Sequence, residues 1–257
     1  MPEELAEVVA YDAEAPLGEQ SELQAARFGV VVERISLLVP GAERVPGYLV
    51  RPAVTGRHPA VVFVHGAGGS REDFAASAVM LAQRGVVALT FSSAFERSGA
   101  PVTAEDARRL FVADAVAVRR ALDLLARRRQ VDASAFGVVG YSRGVEAAAL
   151  AASVDPRVDA VVLVAGRASL SDQAVTEHDR RVLAPLDAAR FVSHLAPAEL
   201  LVQVGNGDAV VPVEQSLALY GAASEPKELR RYATGHSMSE RVWLEQLDWL
   251  VGRLERE

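Results

Sequence analysis

The chain of 257 residues contains no cysteine. That absence removes disulfide frameworks, thiolate zinc sites and cysteine nucleophiles. Basic residues are not in excess. The formal net charge is −7, whereas a dedicated nucleic-acid binder carries a basic surplus, so no nucleic-acid partner is expected. Lysine is nearly missing, Lys227 being the only one, and we read the arginine bias as genomic base composition. No run of eighteen apolar residues occurs, so no membrane span is expected. The start, Met1-Pro2-Glu3-Glu4, lacks a basic stretch followed by an apolar core; no secretory signal is read there and a cytoplasmic location is expected. No Pro/Gly/Ser linker, internal repeat or low-complexity segment divides the chain. One domain over 1–257 follows, with residues 1–27, polar and poorly periodic, as an N-terminal extension packed on the outside. His58, His178 and His194 have no metal-ligand spacing around them, and neither a metal nor a cofactor is expected.

Half of the residues are hydrophobic, and they are organised. Short apolar runs alternate with longer helical patterns, which predicts an α/β fold with a mostly parallel central sheet and helices on both faces. Residues 28–39 and 45–51 read as an antiparallel opening pair joined by a turn at Pro40-Gly41. Strands are predicted at 60–64, 86–91, 136–139, 160–164, 200–204 and 228–232. Helices are predicted at about 72–84, 104–128, 145–152, 213–220 and 238–254. In the longest helix, Phe111, Ala115, Val118, Leu122 and Leu125 share one face. Ser237 and Glu240 form a candidate capping box for the last. Residues 166–197 exceed a simple connection and are a candidate small lid.

The most informative stretch is Gly140-Tyr141-Ser142-Arg143-Gly144, between the apolar run Phe136–Val139 and an alanine-rich helix. Gly-x-Ser-x-Gly in that setting is the sharp turn that lifts a nucleophilic serine above a parallel sheet. A serine hydroxyl is a poor nucleophile at neutral pH; it needs a base, and the base needs an orienting acid. In this topology acid and base follow the serine, each just after a later strand. Asp208 lies in the turn Gly205-Asn206-Gly207-Asp208 after the strand 200–204. His236 lies in Thr234-Gly235-His236-Ser237 before the closing helix. Attack on an ester carbonyl also needs two N–H groups aimed at the developing oxyanion. The backbone N–H of Arg143 supplies one. The loop His65-Gly66-Ala67-Gly68-Gly69-Ser70 supplies the other, with Ala67 the first choice and Gly68 the second. His65 is expected to organise that loop. Gly68, Phe95 and Leu186 are candidate pocket residues.

These residues resemble the α/β-hydrolase superfamily, and within it the dienelactone-hydrolase-related and acyl-peptidase-related serine esterases. Val45–Pro52 is similar to the opening of that group, His65–Asp73 to its oxyanion loop, and Gly207–Pro212 to its acid turn. The resemblance covers nearly the whole chain. It implies an α/β-hydrolase fold and cofactor-free hydrolysis of carboxylic esters. Dienelactone hydrolases proper use a cysteine nucleophile, where this chain has Ser142. The function expected is a serine carboxylester hydrolase acting on small or compact esters through an acyl-enzyme. Acyl transfer or peptide cleavage by the same triad, and a non-catalytic binding protein with this fold, are the alternatives. The oligomeric state is left open.

Overall fold

The computed structural model describes residues 3–40 and 44–255. Gly41, half of the expected turn, lies outside the described residues, as do the first two residues of the N-terminal extension. Nine strands form one sheet: β1 (Gln20–Arg27), β2 (Val30–Leu38), β3 (Arg44–Pro52), β4 (His58–Val64), β5 (Val87–Phe91), β6 (Val131–Tyr141), β7 (Val158–Val164), β8 (Glu199–Gly205) and β9 (Lys227–Tyr232). Their spatial order is β1-β2-β3-β5-β4-β6-β7-β8-β9. The first three pairings across that order are antiparallel and the other five are parallel. The helices are α1 (Glu3–Val8), α2 (Ala75–Gln83), α3 (Ala94–Ser98), α4 (Ala104–Arg127), α5 (Gly144–Val154), α6 (Glu177–Leu183), α7 (Ala188–Val192), α8 (Val213–Ala222) and α9 (Glu240–Leu254).

Strand β4 shows how the sequence builds this sheet. Ala60, Val62 and Val64 pack into one apolar cluster with α4, α5 and α7, while Val61 and Phe63 pack into a second with α2 and α9. Both faces are covered, so the strand reads as an unbroken apolar run. Each fully buried Val or Phe of this kind contributes about 1.5–3 kcal/mol. Helix α4 begins where Thr103 accepts the Asp106 N–H at its N-cap, which satisfies one of the orphan donors of a helix start. Its predicted apolar face, Phe111 to Leu125, is buried.

The N-terminal segment departs from the expectation of an outer extension. Residues 20–27 pair with β2 and extend the sheet. Val9 and Leu17 are buried in the main core. Arg120, fully buried on α4, donates to the Ala15 and Pro16 carbonyls at 3.0 Å each, and Tyr11 donates to Asp123 at 2.7 Å. These bonds draw the segment in because a buried guanidinium must find acceptors. The closing helix also starts later than its candidate capping box implies. Ser239, not Ser237, is the N-cap residue of α9: its carbonyl is the one that accepts the first helical N–H groups, from Val242 at 3.0 Å and Trp243 at 3.4 Å.

Residues 166–197 form α6, α7 and two single turns of 3₁₀ helix. Ala188, Phe191 and Val192 of α7 are buried in the core, so α7 serves as the crossover between β7 and β8. Leu186, a candidate pocket wall, is 1% exposed and lies in that same core. Helix α6 is the outer part. Its Glu177 pairs with Arg180 and Arg181, and His178 Nε2 is 2.6 Å from Glu105 Oε1 at the start of α4.

Candidate active site

Strand β6 ends at Tyr141, and the chain turns at Ser142, whose φ of 53° lies in the left-handed region. The two flanking glycines are dictated by space. A Cβ at Gly140 would stand 2.6 Å from the Gly144 carbonyl oxygen and 2.7 Å from Ala148 Cβ; one at Gly144 would run into the Val64 carbonyl. Strand, turn and α5 therefore approach closely enough to lift Ser142 onto the carboxyl edge of the sheet. The Ser142 N–H donates to the Val164 carbonyl at 2.8 Å, and the Val145 N–H donates to the Ser142 carbonyl at 3.0 Å.

The structure brings Ser142, His236 and Asp208 into one line. Ser142 Oγ is 2.9 Å from His236 Nε2, and His236 Nδ1 is 2.8 Å from Asp208 Oδ2. The Asp208 side chain is 2% exposed. Its other oxygen accepts the Val210 and Val211 N–H groups at 2.8 Å each. The carboxylate is thus held by its own turn, with one oxygen left for the imidazole. Acid turn and histidine loop are joined by the backbone. The Asn206 N–H donates to Tyr232 O at 2.8 Å and the Gly207 N–H to Thr234 O at 2.9 Å. From the other side, the Tyr141 hydroxyl donates to the His236 carbonyl at 3.0 Å.

The loop after β4 reaches the serine turn. A Cβ at Gly66 would lie 3.0 Å from Ser142 Cβ. Among the described residues, neither the Ala67 N–H nor the Arg143 N–H donates to a protein group. Arg143 sits at the start of α5, where the aligned peptide dipoles favour negative charge. His65 is 2% exposed. Its Nδ1–H donates to the Gly66 carbonyl at 2.9 Å, and the Ser93 N–H donates to its Nε2 at 3.2 Å. Glu96 Oε2 stands 3.2 Å from the same Nε2. The ring ties the loop after β4 to the loop after β5. Gly68 has a φ of 69°, and a Cβ there would stand in open space. Phe95 is 6% exposed and packs edge-on against Phe111, with the Arg143 guanidinium 3.9 Å over its ring. Among the described residues, no group of three His, Asp or Glu side chains is placed to hold a metal ion, and no helix is long and apolar enough to cross a membrane.

Two buried carboxyls beneath the turn escape a reading by motif. Asp114 caps the Ala94 N–H of α3, and Glu146 lies one helical turn beyond Ser142, 3.9 Å from Arg167. Burial raises Asp114 to about 7 and Glu146 to about 8, nearby arginines offsetting part of the shift. Their signal was an acidic residue inside an otherwise apolar helical stretch. A carboxyl whose folded pKa lies above its unfolded value holds its proton more tightly when folded. The stability it contributes is complete below about pH 4.5 and is lost as pH rises through about 8. Glu146→Gln keeps the shape without the ionisation. It should flatten the fall of the melting temperature between pH 5 and 8.5 and leave the variant melting above wild type at pH 8.5. Parallel melting curves across that range would show that Glu146 does not ionise there.

A family model described as the dienelactone hydrolase family matches residues 45–193. No curated protein matches the sequence. Among solved structures, acetyl xylan esterase from Paenibacillus sp. R4 is similar, with a TM-score of 0.83 at 20% identity over 98% of this chain and 93% of that one. Acetyl xylan esterase 1 from Thermoanaerobacterium sp. JW/SL YS485 gives 0.75 at 15% identity, with the same coverage of each chain. A cold-adapted esterase from an Arctic intertidal metagenomic library gives 0.69 at 19% identity, over 92% of this chain and 98% of that one. At these identities the likeness is one of fold, and it is the fold expected from the alternation of strands and helices. The family match is of a different kind, because it spans more than half of the chain and holds the opening strand, the loop after β4 and the serine turn: the protein belongs to the dienelactone hydrolase family.

Proposed function

We propose that the protein is a serine carboxylester hydrolase working through an acyl-enzyme. The observation that carries this reading is the hydrogen-bonded line from Ser142 Oγ through His236 to Asp208, at 2.9 and 2.8 Å. Family membership and the esterases among the structural neighbours support ester hydrolysis. Ser142 Oγ attacks the ester carbonyl while His236 Nε2 takes its proton. The Arg143 and Ala67 N–H groups receive the oxyanion. The intermediate collapses, His236 returns the proton to the leaving alcohol oxygen, and the acyl group stays on Ser142. Water then gives a proton to His236 and attacks the acyl carbonyl, and Ser142 regains its proton as the acid leaves. Asp208 holds the imidazole with Nδ1–H toward itself and stabilises the imidazolium. No cofactor enters these steps. The whole chain acts as one domain in this reading, with α6 as the outer element of the candidate lid.

The acyl group is small or compact. Burying a long chain needs an extended apolar channel, each CH₂ contributing about 0.8 kcal/mol. The outer helix offers charges instead: Glu177, Asp179, Arg180 and Arg181 dominate α6, and only Leu183 is buried. A p-nitrophenyl ester series from acetate to palmitate, at matched solubility, should be hydrolysed with kcat/KM greatest at the short end. A maximum at twelve carbons or more would refute the compact acyl site; failure to hydrolyse any member would refute the esterase reading.

A further inference from the structure

A cavity of about 380 Å³ opens between the N-terminal ends of α2 and α9. That is within the range of small-molecule sites, about 300–1,000 Å³. Phe74, Met80, Tyr141 and Trp243 line it, with Asp73 and Glu240 at its rim. Trp243 meets Phe74 edge-on at 5.7 Å and Tyr141 edge-on at 5.5 Å. These three rings make a continuous aromatic wall. The wall is shared with the serine site. The Tyr141 ring lies 5.4 Å from the His236 ring, and its hydroxyl holds the His236 carbonyl. The cavity therefore lies on the histidine side of Ser142.

Among the described residues, no cationic side chain pairs with the two carboxylates of this cavity. Asp73 accepts only the Ser70 hydroxyl, at 3.3 Å, and Glu240 makes no hydrogen bond or ion pair among the described residues. No cation lines the cavity. The neighbouring arginines are engaged elsewhere: Arg71 with Glu72 and the Tyr48 ring, Arg241 with Glu245. An aromatic wall under two uncompensated carboxylates suits an apolar body that carries positive charge. Ring faces attract ammonium groups, the rim adds Coulombic attraction, and an anion would be repelled by both carboxylates.

We propose that this cavity receives the alcohol side of the substrate, and that the alcohol carries a quaternary or protonated amine. The inference rests on the esterase reading for one step: His236 returns its proton to the leaving alcohol, so a cavity on the histidine side is on the leaving-group side. The cationic character rests on the cavity alone.

Two measurements separate these elements. In the first, acetate esters of ω-trimethylammonio alcohols two to six carbons long are compared with their neutral tert-butyl isosteres. At one length or more, kcat/KM should favour the cation about tenfold or more, the combined weight of a cation–π contact and two rim charges. The ratio should fall about threefold or more in Asp73→Asn/Glu240→Gln and stay above unity, since the rim charges are gone while the aromatic wall remains, and the isostere corrects for any other change. In the second, Ser142→Ala is titrated calorimetrically with phenyltrimethylammonium, which needs no turnover; adding the two rim substitutions should weaken binding about threefold or more. Ester turnover with no preference for the cation and no binding of phenyltrimethylammonium would overturn the cavity assignment and leave the esterase reading standing. Cation binding that depends on the rim, without turnover of any ester, would overturn the esterase reading and keep the cavity as a cation site.

Discussion

Ser142→Ala is expected to abolish hydrolysis of an activated ester, lowering turnover by about four orders of magnitude or more, while the thermal melt stays close to wild type. The substitution removes one oxygen from a half-exposed turn. Of the bonds at this residue, the N–H to Val164 and the carbonyl to Val145 are backbone and persist. Only the bond to His236 is lost. A serine-directed fluorophosphonate should label the wild-type protein at residue 142 and leave the variant unmodified. Turnover at the wild-type rate with an unchanged melt would remove Ser142 from the chemistry.

His236→Ala and Asp208→Asn should each cripple turnover, and the double variant should be little worse than His236→Ala alone. The reason is geometric. Asp208 makes one bond beyond its own turn, and that bond goes to His236 Nδ1. If its role is to hold the imidazole, it has nothing to hold once the ring is gone. Groups that act as a unit give strongly non-additive losses. Each single change is expected to cost about three to four orders of magnitude. Losses that multiply in the double variant would place Asp208 or His236 outside a common relay, and an active Asp208→Asn enzyme would point to another carboxylate.

The legibility of this molecule followed burial. β4 was visible because both of its faces are covered, leaving no polar residue to interrupt the run from Ala60 to Val64. β1 was invisible because it is exposed almost throughout; an edge strand held by backbone pairing needs neither apolar alternation nor apolar content. The turns that bring Ser142, Asp208 and His236 together were legible through their glycines and their places after strands, since a close backbone approach restricts residue type. Contacts made by side chains across the fold left no local trace. Arg120 reads as one more arginine on a helix, yet it binds carbonyls about a hundred residues away. Tyr141 looks like a spacer inside the motif, and only the folded chain places it between His236 and Trp243. Leu186 shows the same limit: its burial in the core just before α7 is set by how the chain crosses the sheet, and sequence distance does not reveal that.

The backbone at Ser142 has a consequence of its own. A left-handed conformation costs a residue with a side chain about 1–2 kcal/mol, and glycine would occupy it without that penalty. The protein therefore presents its hydroxyl on strained backbone; glycine would relieve that strain, while its freer unfolded chain gives back about 0.5–1 kcal/mol of the gain. Selection for thermal resistance alone would then offer nothing to hold residue 142 as serine, and a laboratory lineage evolved only for heat tolerance would be free to lose the hydroxyl and keep the fold.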